Sequence, residues 1–183
     1  MDKPSQIFNP FAKKNDRQKV QAIGVFLLLS WTYQLITNWL FTWLMLTDTG
    51  PWDLSAFLYF FTLIATPIAG VALLKIKKIG WILLTILLVN MITGTISSLI
   101  FEIRWAISYD SGETTGLLGQ LNESLGAVGI GQLIIKLIIV SLVLYFINLK
   151  RVLALFPVSN TARFITLGVA VGIFGSFYFS YFF

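Results

Sequence analysis

Polar side chains recur every four residues along the first long apolar segment. Ser30, Gln34, Asn38 and Thr42 share one face of the predicted helix, because residues four apart lie above one another. Beside it lies a second stripe of three tryptophans and a leucine: Trp31, Leu35, Trp39 and Trp43. Two interpretations stay open. Gln34, Asn38 and Trp39 line a site for a small ligand, or the amides hydrogen-bond to neighbouring helices, which is the more common use of such residues.

A second group of small polar residues lies in the third apolar segment. Asn90 is its most polar member, and Thr93, Gly94, Ser97 and Ser98 follow it. The second segment has a similar stripe at four-residue spacing: Thr62, Thr66 and Gly70. Side chains this small let helices approach closely, so packing is the favoured interpretation. Asn90 is retained as a candidate ligand contact.

Lys136 is the one charged residue inside an apolar run, in the sequence IGQLIIKLIIV. A charge at membrane depth is a functional candidate by default. A lysine can also extend its amine toward the headgroups, or pair with an acid such as Glu102 or Glu123. We therefore predict either a structural role or a ligand or proton role for Lys136.

Glycines cluster in the last two apolar segments. Gly168 and Gly172 form a GxxxG pattern that Gly175 extends. Such patterns mark faces where helices pack closely. The sequence leaves open whether these glycines meet a helix of this chain or a helix of another subunit.

The chain has no cysteine and no histidine. Their absence removes disulfides, thiolate nucleophiles, Cys/His zinc sites and the common general base at neutral pH. No aspartate lies inside an apolar segment, and no phosphate-binding glycine loop is present. We predict a protein that is not an enzyme and that holds no cofactor and no metal.

The composition of the chain is that of a membrane protein. Of 183 residues, 57% are hydrophobic and 11% are charged, whereas soluble domains carry about 25% charged residues. Five apolar segments are long enough to span a bilayer: about 20–46, 54–74, 79–101, 127–148 and 162–183. The predicted fold is all-α, a polytopic bundle of five transmembrane helices. It forms one transmembrane domain over 20–183, with a basic cytoplasmic tail at 1–19 and an external loop at 102–125.

The positions of the basic residues predict the orientation. Eleven of the 13 lie before the first segment, between the second and third segments, or on either side of the gap between the fourth and fifth: Lys3, Lys13, Lys14, Arg17, Lys19, Lys75, Lys77, Lys78, Lys150, Arg151 and Arg163. Basic residues stay on the cytoplasmic side during insertion, so the N-terminus is predicted inside and the C-terminus outside. The predicted location is the cytoplasmic (inner) membrane of a bacterium, crossed several times.

These features favour a non-enzymatic membrane subunit or accessory protein that acts through helix–helix or lipid contacts. Its expected partners are membrane lipids and either another membrane protein or a second copy of the chain, with no nucleic acid. The first alternative is a component that binds or transports a small solute through a polar and aromatic pocket. The second alternative is an immunity-type membrane protein.

Overall fold

The computed structural model describes residues 10–47, 54–110 and 117–180, and these form helices joined by turns. The helices are α1 (Pro10–Thr37), α2 (Trp39–Thr47), α3 (Leu54–Leu74), α4 (Lys78–Asp110), α5 (Leu117–Ile147), α6 (Lys150–Leu153) and α7 (Asn160–Phe179). The all-α fold class is confirmed over the described residues.

Five of these helices contain stretches that are long and apolar enough to cross a membrane: Lys14–Thr37, Ala56–Leu74, Lys78–Arg104, Gly129–Ile147 and Asn160–Tyr178. Helical backbone satisfies its own hydrogen bonds, which is what a segment in hydrocarbon requires. The chain thus has the helices of a multi-pass membrane protein. The orientation and the bacterial membrane stay predictions.

The first segment differs from the predicted span 20–46 at its start and in its interior. Helix α1 begins at Pro10, inside the predicted tail, because proline fits the first helical position, where its missing N–H costs nothing. Asn38 forms a bend between α1 and α2. Backbone hydrogen bonds continue through the bend, from Asn38 N to Gln34 O and from Thr42 N to Asn38 O, both at 2.9 Å.

The structure also differs from the predicted external loop at 102–125. Helix α4 continues to Asp110, and α5 begins at Leu117. The leucines that predicted a short surface helix, Leu117, Leu118, Leu121 and Leu125, belong to the first turns of α5. Single glycines weaken a helix by only about 1 kcal/mol, so Gly119 and Gly126 do not end it.

The chain divides into two compact units, a division that the sequence did not indicate. The first unit takes its residues from Met1–Leu87 and Ile147–Ser159, and the second from Leu88–Phe146 and Asn160–Phe183. Helix α4 contributes residues to both.

In the first unit, α1 and α3 pack at very close range. A Cβ on Gly24 would lie 2.9 Å from the carbonyl oxygen of Gly70, and a Cβ on Gly70 would lie 2.8 Å from Cγ of Leu28. Such distances mean that glycine is what allows the two backbones to approach. Next to this crossing a small core forms from Ala65, Ala69 and Leu87, with Leu27, Phe61 and Leu83 packed against it.

The turn between α3 and α4 is a tight helix ending. Ile76 has a φ of 51°, in the left-handed region where a β-branched residue is rare. Its N–H bonds to Leu73 O at 3.0 Å and the N–H of Lys77 bonds to Ala72 O at 2.9 Å, the pattern of a Schellman motif. Glycine is the usual residue at the position of Ile76. The following helix starts so close that a Cβ on Gly80 would lie 2.7 Å from Leu73 N.

In the second unit, buried side chains come from all three of its helices. Leu88 and Val89 of α4, Val140 of α5, and Ala170 and Phe174 of α7 are buried. Burial is nevertheless low over α5 and α7. Only 11% of the most apolar stretch is buried in each, compared with 50% in α4.

Candidate functional site

The predicted ligand residues of the first segment lie on exposed surface in the first unit. Gln34 is exposed near the end of α1, Asn38 is exposed at the bend, and Trp39 opens α2 with 62% of its surface exposed. All three lie on the exposed surface of the α1–α2 segment. Thr42, the last residue of the predicted stripe, is buried and its hydroxyl lies 2.5 Å from that of Tyr59 in α3.

A stretch of α1 nearer to its start contacts α3. It carries Gly24 and two hydrogen-bond donors, Gln21 and Trp31. The Gln21 amide donates to Leu74 O at 3.0 Å, a carbonyl in the last turn of α3 that has no helical partner. Two polar side chains of α1 therefore serve main-chain carbonyls of α3, whereas the predicted stripe at Gln34 and Asn38 does not pack inward.

The Trp31 contact has a specific cause in the sequence. Its indole N–H donates to Leu63 O at 2.8 Å. In a regular helix that carbonyl would accept from the N–H of residue 67, but residue 67 is proline and has none. Pro67 thus exposes a backbone acceptor that Trp31 satisfies. The signal was present in the sequence as a proline inside an apolar helix, together with an unassigned tryptophan.

Asn90 is buried in the second unit and has a partner. The hydroxyl of Tyr178, in α7, donates to Asn90 Oδ1 at 3.2 Å. Tyr178 lies directly over Gly94, where a Cβ would come within 2.9 Å of Oη. Tyr178 of α7 thus contacts α4 at both Asn90 and Gly94. The carboxamide oxygen of Asn90 takes part in this contact between helices. Its role as a ligand contact stays a prediction.

Lys136 is exposed on α5. No ion pair joins it to any side chain that the structure describes, and the side chain of Glu123, one of its predicted partners, lies outside that description. Among the predicted ligand residues, Gln34, Asn38 and Trp39 are in the first unit, and Asn90 and Lys136 are in the second. Their common membership in one site stays a prediction.

The glycines predicted to pack helices face open space. Within the described part of the chain, a Cβ on Gly168, Gly172 or Gly175 would meet nothing within 4 Å, and the same holds for Gly129 and Gly131 of α5. At 100° per residue, the glycine face of α7 lies opposite the face that buries Ala170 and Phe174. Of the two alternatives that the sequence left open, packing within the described chain is not observed.

A charged pair that the sequence did not indicate lies in the first unit. Asp16 of α1 is 4% exposed, and its Oδ2 lies 3.4 Å from Nε of Arg151 in α6. Asp16 is four residues before Val20 and eight before Gly24, so it shares their buried face. That four-residue spacing was the available signal. The basic surroundings of Asp16 in the sequence concealed it.

Metal ligands are not grouped in the described ranges, where no three Asp, Glu, His or Cys side chains come together. The prediction of a chain without metal or cofactor stays a prediction. The contacts described above join helices to one another and provide no nucleophile with an adjacent base.

In comparisons with known proteins, no family model, no curated protein and no solved structure matches this chain. Its function is therefore inferred from the residues of the molecule alone.

Proposed function

We propose that this chain is a non-enzymatic membrane subunit or accessory protein, and that the second unit binds a transmembrane helix of a partner. The observation that carries the proposal is the glycine face of α7, formed by Gly168, Gly172 and Gly175, which contacts nothing in the described chain. The proposed location is the inner membrane of a bacterium, with the N-terminus inside as the basic-residue pattern indicates.

The energetics of glycine support a partner. Each glycine in a helix interior costs about 1 kcal/mol relative to alanine. In this chain Gly24, Gly70 and Gly80 offset that cost by admitting another segment at less than 3.2 Å from the missing Cβ. The glycines of α7 have no such compensation among the residues that the structure describes. A helix from another molecule would supply it, because transmembrane helices associate mainly by close packing of small residues.

The exposed amides of the first unit support the same conclusion. Gln34 is exposed on a helix long enough to span a membrane, and Asn38 is exposed at the bend that ends it. An amide that faces hydrocarbon leaves donors and acceptors unpaired, which is unfavourable. Polar groups of a partner helix would satisfy them. The solute-binding alternative uses the same two amides, but the buried Asn90 already accepts from Tyr178. The immunity alternative has no contact in its favour.

Photocrosslinking in native membranes tests the proposal. The chain has no cysteine, so a single Gly172→Cys change gives one attachment point for a benzophenone maleimide. Ile173→Cys is the matched control, since Ile173 is 59% exposed but lies well away from the glycine face. We expect a crosslinked protein band from position 172 that is much weaker from position 173. Mass spectrometry then identifies the partner, including a second copy of this chain.

Two outcomes would contradict the proposal. Bands of equal strength from both positions would mean that crosslinking reports random encounter in the bilayer. Lipid adducts alone at position 172 would mean that the glycine face meets acyl chains rather than protein.

A further inference from the structure

Eight exposed basic side chains belong to one end of the first unit. This basic end consists of Lys14, Arg17, Lys19, Lys75, Lys77, Lys78, Lys150 and Arg151. They come from three segments: the first turns of α1, the α3–α4 turn with the start of α4, and α6. We propose that the basic end is a binding surface for the headgroups of anionic phospholipids. The inference concerns the first unit and does not depend on the proposed partner of the second.

Three side-chain contacts hold these segments together. Asp16 of α1 pairs with Arg151 of α6 at 3.4 Å. Gln21 of α1 donates to Leu74 O, directly before Lys75. Trp81, fully buried near the start of α4, donates to Ile147 O at 3.2 Å, at the end of α5 and three residues before α6. The basic segments are therefore fixed to one another and are not separate mobile loops.

The last carbonyls of α3 already accept hydrogen bonds, so they do not need the lysines of the turn as donors. Lysine near a helix C-terminus commonly interacts with the last unpaired carbonyls. Here the carbonyls of residues 71–74 accept from the main-chain N–H groups of Lys75, Ile76 and Lys77 and from the amide of Gln21. The amines of Lys75 and Lys77 are exposed on either side of the left-handed Ile76. They are available to an anion from outside the chain.

Arg151 is presented outward by its partner. The Asp16 carboxylate is buried, and it lies against Nε, while 62% of the Arg151 side chain is exposed. The two terminal nitrogens of the guanidinium remain for a phosphate, which arginine binds with two parallel N–H donors. Val152 and Leu153 are buried beside it and anchor α6. Asp16 thus acts as a positioning residue for Arg151.

The basic end carries an excess of positive charge that anions would neutralise. Asp16 is the single acidic residue among the described residues of the first unit, and it is already paired. Exposed like charges repel one another within a screening length of about 8 Å at physiological salt. The basic segments lie at the ends of the apolar stretches of α1, α3 and α4, so in a bilayer crossed by these stretches they would lie at the level of the lipid phosphates. Anionic headgroups at that level attract basic residues.

Lipid-dependent melting of the full chain in a neutral detergent tests the inference. Unfolding is followed by tryptophan fluorescence after addition of phosphatidylglycerol, phosphatidylcholine or inorganic phosphate. We expect phosphatidylglycerol to raise the melting temperature, with a shift that shrinks as salt is added, and we expect the other two additions to have little effect. Equal shifts from both lipids would overturn the inference. An equal shift from inorganic phosphate would assign the surface to a soluble phosphate compound instead.

Charge-neutral variants locate the effect. The four changes Lys75→Gln, Lys77→Gln, Lys78→Gln and Lys150→Gln remove half of the basic end, and we expect them to reduce the phosphatidylglycerol shift by about half. Because the four side chains are exposed, the variant should melt normally without lipid. Lys136→Gln is the matched control, an exposed lysine of the second unit. A loss as large in the control as in the fourfold variant would overturn the assignment. The crosslink at position 172 is a separate readout, so failure of either proposal is distinguishable from failure of the other.

Discussion

The glycines of the first unit and those of α5 and α7 in the second unit have opposite surroundings. In the first unit, Gly24 and Gly70 bring α1 and α3 into backbone contact, and Gly80 lies against the end of α3. In the second unit, a Cβ on Gly129 or Gly131 of α5, or on the three glycines of the α7 face, would meet nothing within 4 Å among the described residues. The recognisable GxxxG pattern lies on the open face, whereas the close helix crossing uses single glycines with no pattern of their own. A small-residue motif therefore identifies a surface suited to close packing but does not tell which molecule packs on it.

Three polar contacts of the first unit have the same kind of acceptor. Gln21, Trp31 and Trp81 each donate to a main-chain carbonyl that lies at a helix end or opposite a proline. An unpaired carbonyl is expensive where water is absent, so each donor stabilises a position where the helix alone cannot. These three contacts therefore involve the backbone of the accepting segment. The first unit also has contacts between two side chains, Asp16–Arg151 and Thr42–Tyr59, and the Tyr178–Asn90 contact of the second unit is of that kind.

The largest expected effect comes from adding a methyl group to a closely packed glycine, compared with adding one to an open glycine. Gly80→Ala would place Cβ against the main chain of Ala72 and Leu73, at 2.8 and 2.7 Å, which rigid backbone cannot easily relieve. We expect a loss of about 3 kcal/mol in the free energy of unfolding. A Cβ on Gly168 meets nothing within 4 Å among the described residues, so Gly168→Ala should instead raise the same quantity by about 1 kcal/mol, because alanine favours the helix. Denaturant unfolding in mixed micelles measures both, and similar losses would break the comparison.

A double-mutant cycle tests the Trp31 contact. Trp31→Phe removes the donor to Leu63 O, and we expect it to cost about 1 to 2 kcal/mol of unfolding free energy. In a Pro67→Ala background residue 67 supplies its own N–H to that carbonyl, so the same change should cost much less. The exposed Trp39, changed to Phe, is the control for loss of an indole. Equal costs in both backgrounds would show that the indole acts by packing and not by donating.

The Asp16–Arg151 pair should respond unequally to loss of its two members. Arg151→Gln leaves a buried carboxylate without a cation and should cost about 1 to 2 kcal/mol, a value reduced because the pair opens to solvent. Asp16→Asn leaves an arginine that solvent already reaches and should cost less than about 1 kcal/mol. Thermal unfolding of the two variants ranks them. The reverse ranking would mean that the buried Asp16 carboxylate does not depend on the Arg151 cation.

The smallest expected effect is a gain. Ile76→Gly removes a β-branched residue from the left-handed region, and we expect the free energy of unfolding to rise by about 0.5 to 1 kcal/mol after loss of the partly buried side chain. Ile79→Gly, in the first turn of α4, should instead lower it by about 1 kcal/mol. A loss at both positions would show that side-chain packing at Ile76 outweighs the backbone conformation.

Sequence periodicity predicts the helices well and their faces less well. The bounds of α3 coincide with the predicted segment 54–74 because apolar length and the flanking Gly50–Asp53 and Lys75–Lys78 delimit it. The polar stripe at Gln34 and Asn38 was expected to face inward, but the contact face of α1 is set by Gly24, where backbones can meet, and by Trp31, which Pro67 requires. Both depend on residues of another helix. Periodicity within one helix cannot reveal such a pairing. Asp16 was missed for the same reason, since its partner is 135 positions away at Arg151.

The carbonyl of Leu63 has a consequence for how the chain is made. A ribosome completes α1 before it reaches Pro67, so the indole of Trp31 already exists when the proline interrupts the backbone of α3. If α1 stays beside the site of membrane insertion until α3 arrives, the Leu63 carbonyl can accept from the Trp31 indole as soon as α3 enters the bilayer. A permuted gene that encodes α3 first would release a helix into lipid with an unmet acceptor. The order of synthesis is thus matched to the contact between these two helices.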